Sequence, residues 1–125
     1  MKILIIDDEK GILRIYSDKL QASGYEALTS ENGDDGIKKA IAEQPDLILL
    51  DIIMPKINGL DVLKSLKLND STKAIPIVLL TNLPEEMSAD KARELGATDY
   101  LVKAEHDPSE IIERIKQILA TKNAS

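Results

Sequence analysis

The chain has 125 residues, 43% hydrophobic and 30% charged, enough for one domain around one core. Lys and Arg number 16 against 22 Asp and Glu, and the resulting net charge of −6 disfavours direct binding to nucleic-acid phosphate. No cysteine is present, which excludes disulfides, thiolate zinc sites and a Cys nucleophile, and the lone His106 argues against a histidine metal site or triad.

Lys2 to Ile6 reads as a first strand that stops at Asp7-Asp8. This apolar run is too short for a signal peptide or a membrane span, and with the absence of cysteine it points to a cytoplasmic protein with no membrane attachment. Ile12, Leu13, Tyr16 and Leu20 share a face at helical spacing, and Gly24 fits the position that closes that helix. Tyr25 to Ser30 is a weaker strand suited to an edge. Ile37, Ala40 and Ile41 predict a short second helix ending before Pro45. Leu47-Ile48-Leu49-Leu50 is a continuously apolar strand stopping at Asp51, and Leu60, Leu63 and Leu66 mark the third helix. The run over 75–80 predicts the fourth strand, ending at Thr81. Ala89, Ala92 and Leu95 give a fourth helix, with Pro84 near its start and Gly96 at its end. Thr98 to Val102 is the fifth strand, stopping at Lys103. Asp107-Pro108-Ser109-Glu110 has the form of a helix start, with an Asp cap, Pro at the first position and Glu at the third. Ile111, Ile115, Ile118 and Leu119 continue it as the fifth helix. Residues 121–125 are expected to fray, leaving a domain over 1–120 and no output domain.

Strands alternating with helices predict a (βα)₅ chain with a parallel sheet and helices on both faces. The Ile-rich runs suit strands buried on both sides. Ligands of such sheets bind beyond the carboxyl ends of the strands. Asp7, Asp8, Asp51, Thr81 and Lys103 all fall at those ends.

Taken singly these residues say little. Asp7 or Asp8 suits a helix cap, Asp51 suits a turn, and a lysine ending a strand is usually solvated. Together they form an electrostatically complementary set. Mg²⁺ takes hard oxygen ligands, few of them carboxylates, and Asp7, Asp8 and Asp51 can supply them; Mn²⁺ would suit the same ligands. Lys103 and Thr81 can each hold a phosphoryl oxygen. A carboxylate can itself accept a phosphoryl group, and Asp51 stands apart from the adjacent pair.

Ile5-Ile6-Asp7-Asp8-Glu9, Leu50-Asp51-Ile52-Ile53-Met54-Pro55, Asn58-Gly59, Leu80-Thr81 and the run from Leu95 to Lys103 together resemble the receiver (CheY-like) domain of bacterial two-component response regulators. The likeness extends from Lys2 to about Leu119. It implies a flavodoxin-like three-layer sandwich with strand order 2-1-3-4-5. It also implies that Asp51 is the phosphoacceptor, that Asp7 and Asp8 bind Mg²⁺ with Asp51 and the Ile53 carbonyl, and that Lys103 contacts the phosphoryl group. Thr81 and Tyr100 would form the switch, reshaping the surface of the fourth helix, fifth strand and fifth helix for a partner or a homodimer.

Two positions depart from the family pattern. Ala104 stands where a proline, often with a cis bond, usually follows the lysine. Without proline a cis bond costs about 2.5–4 kcal/mol, so a trans bond or a reshaped loop is expected. Asn82 is bulkier than the usual residue after the threonine. With Ile53 and Leu83 it is expected to limit access to Asp51 and to slow hydrolysis of an acyl phosphate.

The function implied is a stand-alone receiver taking a phosphoryl group from a phosphohistidine of a sensor kinase or phosphotransfer protein. It would catalyse only its own phosphorylation and dephosphorylation, turning over no free metabolite, and would act through a downstream protein. The alternative is a phosphorylation-independent interaction module with a remnant acidic pocket. A metabolic phosphatase would call for an Asp-x-Asp signature after a strand, and a nucleotide-binding protein for a glycine-rich phosphate loop; neither is present.

Overall fold

The alternate residues of each apolar run enter two different cores. That is why the runs are unbroken, and why a computed structural model, which describes residues 1–54, 57–82 and 85–124, places them as strands inside three layers. The elements are β1 (Lys2–Ile6), α1 (Lys10–Ala22), β2 (Glu26–Ser30), α2 (Gly33–Glu43), β3 (Leu47–Leu50), α3 (Gly59–Leu68), β4 (Ile77–Thr81), α4 (Glu85–Glu94), β5 (Asp99–Val102) and α5 (Pro108–Ala124). A single 3-10 turn, Lys103–Glu105, joins β5 to α5. The strands form one five-stranded sheet in the order β2-β1-β3-β4-β5, every pair parallel.

Ile3 and Ile5, Leu47 and Leu49, Val78 and Leu80, and Leu101 face the layer of α1 and α5. Leu4 and Ile6, Ile48 and Leu50, Ile77 and Leu79, and Tyr100 and Val102 face α2, α3 and α4. The period of two thus produces both cores from one sequence of apolar residues. Parallel register then aligns the chain reversals: Ile6 pairs with Leu50, and Thr81 with Val102. The residues after these strands must emerge together at the carboxyl edge.

The helices follow their apolar stripes with instructive exceptions. α1 buries Leu13, Tyr16 and Leu20, and Gly24 closes it with φ +92°. α2 buries Ala40 and partly covers Ile37, as expected, but differs at Ile41. Ile41 is exposed, and the buried positions are Gly33, Gly36 and Ala40. The reason is close approach: a Cβ at Gly36 would stand 2.5 Å from Ile6 Cδ1, so α2 packs through its backbone. Asn32 and Asn58 begin α2 and α3, each side chain accepting a bond from the third residue on. α3 buries Val62 with Leu63 and Leu66, while Leu60 is only partly covered.

Asp107 and Glu110 form the expected reciprocal cap, with Glu110 N to Asp107 Oδ1 at 3.0 Å and Asp107 N to Glu110 Oε1 at 3.3 Å. α5 continues past Thr121, where fraying was expected, to Ala124. No Gly or Pro interrupts this stretch, and each added residue gains a backbone bond. Among the described residues no helix is long and apolar enough to cross a membrane.

Candidate functional site

The carboxyl edge of the sheet gathers the predicted residues from three strand ends. Asp7 follows β1 and extends its ladder, donating from its N–H to the Ser30 carbonyl at 3.0 Å. Asp51 follows β3 and donates to the Ile6 carbonyl at 3.0 Å. Lys103 follows β5. The two aspartates are 2% and 4% exposed, and the lysine side chain is 10% exposed.

Each buried carboxylate divides its oxygens between backbone and ammonium. Asp7 Oδ1 accepts from Glu9 N at 2.9 Å, and its Oδ2 accepts from Lys103 Nζ at 2.8 Å. Asp51 Oδ1 accepts from Ile53 N at 3.2 Å, and its Oδ2 accepts from the same Nζ at 3.2 Å. Neither acid caps α1: the N-cap is Glu9, whose side chain makes no cap bond. Glu9 instead places Oε1 3.8 Å from Lys103. Burial pushes the Asp51 carboxyl above its ordinary range, with Lys103 opposing and Asp7 adding to the rise. Burial works against the Lys103 charge, but the bonds and charges of Asp7 and Asp51 outweigh it and hold the ammonium above its usual value.

Asp8 is exposed beside this pair. Asp7, Asp8 and Asp51 each offer a carboxylate oxygen within 4.8 Å of the others. Three acids face one lysine, so the cluster retains excess negative charge at short range. Hard oxygens and excess negative charge fit a hard divalent cation. Thr81, the last residue of β4, is fully buried. Tyr100 is buried against the α2–α4 side. Ile53 is 54% exposed next to Asp51, and Asn82 is exposed after Thr81. Leu83 lies outside the described residues. Among the described residues no peptide bond is cis, so the chain passes Lys103-Ala104 in trans and turns at once into the 3-10 segment.

Two contributors escaped the sequence reading. Glu9 was visible only as a third acid. Gly59 stood in a motif without a reason, which the backbone supplies. Its N–H donates to the Ile52 carbonyl at 2.7 Å, and a Cβ there would lie 2.1 Å from the Asp51 carbonyl oxygen. The start of α3 thus rests directly on the peptide that carries Asp51.

The family model described as the response regulator receiver domain matches residues 3–116. The alkaline phosphatase synthesis transcriptional regulatory protein PhoP of Bacillus subtilis (strain 168) is 41% identical over 118 residues, covering 94% of this chain and 48% of its own length. The phosphate regulon transcriptional regulatory protein PhoB of Pseudomonas aeruginosa is 38% identical over 117 residues, covering 94% of this chain and 51% of its own. This chain therefore spans about half the length of these relatives. The Vibrio cholerae chemotaxis protein CheY4 superposes with a TM-score of 0.87 at 29% identity, covering 93% of this chain and 96% of its own. A CheY-like receiver domain protein from Methanospirillum hungatei JF-1 gives 0.89 at 27% identity, covering 98% and 96%.

Proposed function

This chain belongs to the response regulator receiver domain family, and on that premise we propose that Asp51 accepts a phosphoryl group from a phosphohistidine of a sensor kinase or phosphotransfer protein. The supporting observation is the pair of buried carboxylates, Asp7 and Asp51, that share the Lys103 ammonium at the carboxyl edge of the sheet. A carboxylate oxygen of Asp51 attacks phosphorus. The P–O bond forms, the P–N bond breaks, and the imidazole takes up a proton as it leaves. The burial that raises the Asp51 carboxyl also means its charge is poorly solvated, which favours bonding to an electrophile.

Lys103 exchanges its bond to Asp51 for one to the new phosphoryl oxygens, and Thr81, at the adjacent strand end, can donate its hydroxyl to them. Asp7, Asp8, Asp51 and the Ile53 carbonyl would hold Mg²⁺ or Mn²⁺, which when bound would neutralise charge on the transferring group. The movement of Thr81 and Lys103 then bears on β5 and on the elements beside it. Tyr100 is the β5 residue through which α4, β5 and α5 present a changed face to a downstream protein. The chain catalyses only its own phosphorylation and dephosphorylation, turning over no free metabolite, and works in the cytoplasm.

Incubation with acetyl phosphate or phosphoramidate tests this. We expect one added phosphoryl mass, dependent on Mg²⁺ and absent from Asp51→Asn. Modification of Asp51→Asn to the same extent, or no modification of the parent chain with Mg²⁺ present, refutes it.

A further inference from the structure

Ser30 ends β2, and of the five residues of that strand it alone is buried, at 2% exposed. A hydroxyl in such a position needs a partner. The partner comes from α2. Ser30 Oγ donates to Asp35 Oδ2 at 2.7 Å, a charged acceptor that takes the single hydroxyl proton ahead of the Asn32 carbonyl at 3.0 Å. Lys39, one turn further along α2, lies 3.1 Å from the same Oδ2 and donates to the Thr29 carbonyl. Two side chains of α2 thus grip the last two residues of β2. The Ser30 hydrogen bond, with Lys39 adding to it, holds the Asp35 carboxyl below its ordinary range, so the acceptor is ionised at neutral pH.

Helix capping does not account for this arrangement. Asp35 is the third residue of α2, and an acid there commonly reaches back to the N-cap amide. Glu110 does so at the start of α5, accepting from Asp107 N. Asp35 reaches two residues further back, to Ser30. Ion pairing does not account for it either. The Asp35 and Lys39 side chains are 46% and 42% exposed, and pairs at such exposure contribute little by themselves. What the grip holds is an edge. β2 lies at the end of the sheet with β1 as its strand neighbour, so its carboxyl end has strand support from one side only. The Ser30 carbonyl accepts from Asp7 N at 3.0 Å. Asp7 in turn supplies an oxygen to the acidic cluster and holds Lys103 at 2.8 Å. A series of hydrogen bonds therefore runs from Asp35 through Ser30 to the Asp7 backbone.

We propose that Asp35 is a positioning residue for Asp7, its Oδ2 fixing Ser30 so that the Ser30 carbonyl holds the Asp7 backbone, and with it the Asp7 carboxylate, in place. This rests on the reading of Asp7 as a ligand of the cation beside Asp51. Asp35 touches neither the cation nor the phosphoryl group; it acts through Ser30.

The test uses the full chain. Mg²⁺ affinity is measured by calorimetry, and exchange of the Asp7 amide is followed by ¹⁵N NMR in metal-free protein. Asp35→Ala and Ser30→Ala each break the series. Asp35→Asn removes the charge and keeps an oxygen where Oδ2 stands. Asp34→Ala removes an exposed acid one residue earlier in the same turn. Asp35→Ala and Ser30→Ala are each expected to speed Asp7 exchange at least about 3-fold and to weaken Mg²⁺ binding roughly 3- to 10-fold, less than the loss of a direct outer partner of a metal ligand. The double variant should be no worse than either single one, since both remove the same bond. Asp35→Asn and Asp34→Ala should stay within about 2-fold of the parent in both quantities. Unchanged Asp7 exchange in Asp35→Ala overturns the proposal, whatever happens to the urea midpoint. So does a loss of Mg²⁺ affinity in Asp34→Ala equal to that in Asp35→Ala, which would mean bulk charge, and so does an Asp35→Asn chain as weak as Asp35→Ala. If the parent binds no Mg²⁺, the cation reading fails by itself, and Asp7 exchange alone decides on Asp35.

Discussion

Gly59→Ala should be the most damaging single-methyl substitution among the glycines of this chain. The added Cβ would lie 2.1 Å from the Asp51 carbonyl oxygen, 2.5 Å from Ile52 Cα and 2.8 Å from the Asp51 carbonyl carbon. Comfortable separations begin near 3.5 Å between carbons, so α3 and the 51–52 peptide must part by roughly 1 Å. Both sides are backbone, and neither can rotate away as a side chain would. Overpacking of this kind costs about 1–3 kcal/mol, and a rigid neighbour puts it at the upper end. Loss of the 2.7 Å bond from Gly59 N to the Ile52 carbonyl adds about 1 kcal/mol. The better helix propensity of Ala returns at most about 1 kcal/mol. The net expectation is about 3 kcal/mol.

Urea unfolding followed by circular dichroism, in chelator, measures this. Gly11→Ala is the internal control. Gly11 lies within α1, an added Cβ meets nothing within 4 Å, and stability should rise by up to about 1 kcal/mol. Gly36→Ala should fall between the two, because its nearest neighbour is the flexible tip of Ile6. Since the disturbed peptide carries Asp51, Gly59→Ala should also slow phosphorylation under conditions where the variant remains folded. A Gly59→Ala chain within roughly 0.5 kcal/mol of the parent would refute the claim that direct backbone contact seats α3 on the site.

Other outcomes follow from the same geometry. Asp51→Asn should stabilise the metal-free chain at neutral pH, by on the order of 1 kcal/mol, because it removes a carboxylate whose charge is disfavoured by burial beyond what Lys103 offsets. The folded-state value of Asp51 lies above its ordinary 3.8. Its contribution is therefore fully present below that value and is lost as pH rises through the raised one, so the gap between variant and parent should widen upward from about pH 4; a gap that is flat or closes with rising pH contradicts this. Asp107→Ala should cost about 1 kcal/mol in urea unfolding by removing the reciprocal cap of α5, and no loss would mean that the cap bonds contribute nothing. Ile53→Asn should shorten the acyl phosphate lifetime, followed by mass over time, because an exposed apolar neighbour of Asp51 becomes one that can hold water; an unchanged lifetime removes Ile53 as a shield. Amide exchange should be faster in α4 than in α5, which buries Ile111, Ile112, Ile115 and Leu119, and equal protection would count against α4 as the looser element.

The sheet was legible because strands buried on both faces leave unbroken apolar runs, and because a polar residue ending such a run must emerge at the carboxyl edge. That one inference carried Asp7, Asp51, Thr81 and Lys103 to a common location. Where side chains are missing the pattern fails. α2 packs through Gly33 and Gly36 beside Ala40 and the partly covered Ile37, so its buried face shows only part of an apolar stripe, and Ile41 was assigned inward by default. Gly59 is the same blindness at the site itself: its role is space, which a sequence shows only as an absent Cβ. Partners across the sheet were hidden for another reason. Lys103 is separated from Asp7 by 96 residues and from Asp51 by 52, so spacing carries no record of which oxygen it takes or how Glu9 competes.

The alanine after Lys103 shows how the chain aims this lysine without proline. Upstream, β5 is held in register on β4, with Val102 opposite Thr81. Downstream, Asp107 is fixed by the reciprocal cap of α5, and His106 Nδ1 lies 3.5 Å from Glu110 Oε2. Only the short 3-10 segment spans these anchors, so the backbone at residue 103 has little freedom to lose. The remaining freedom belongs to the side chain, and there two carboxylates at the ends of adjacent parallel strands offer one oxygen each to the same ammonium. Loosening either anchor therefore acts on the site through the lysine: a substitution that breaks the α5 cap should disturb Lys103 before it disturbs Asp7 or Asp51, whose own positions are set by the ladder bonds to Ser30 and Ile6.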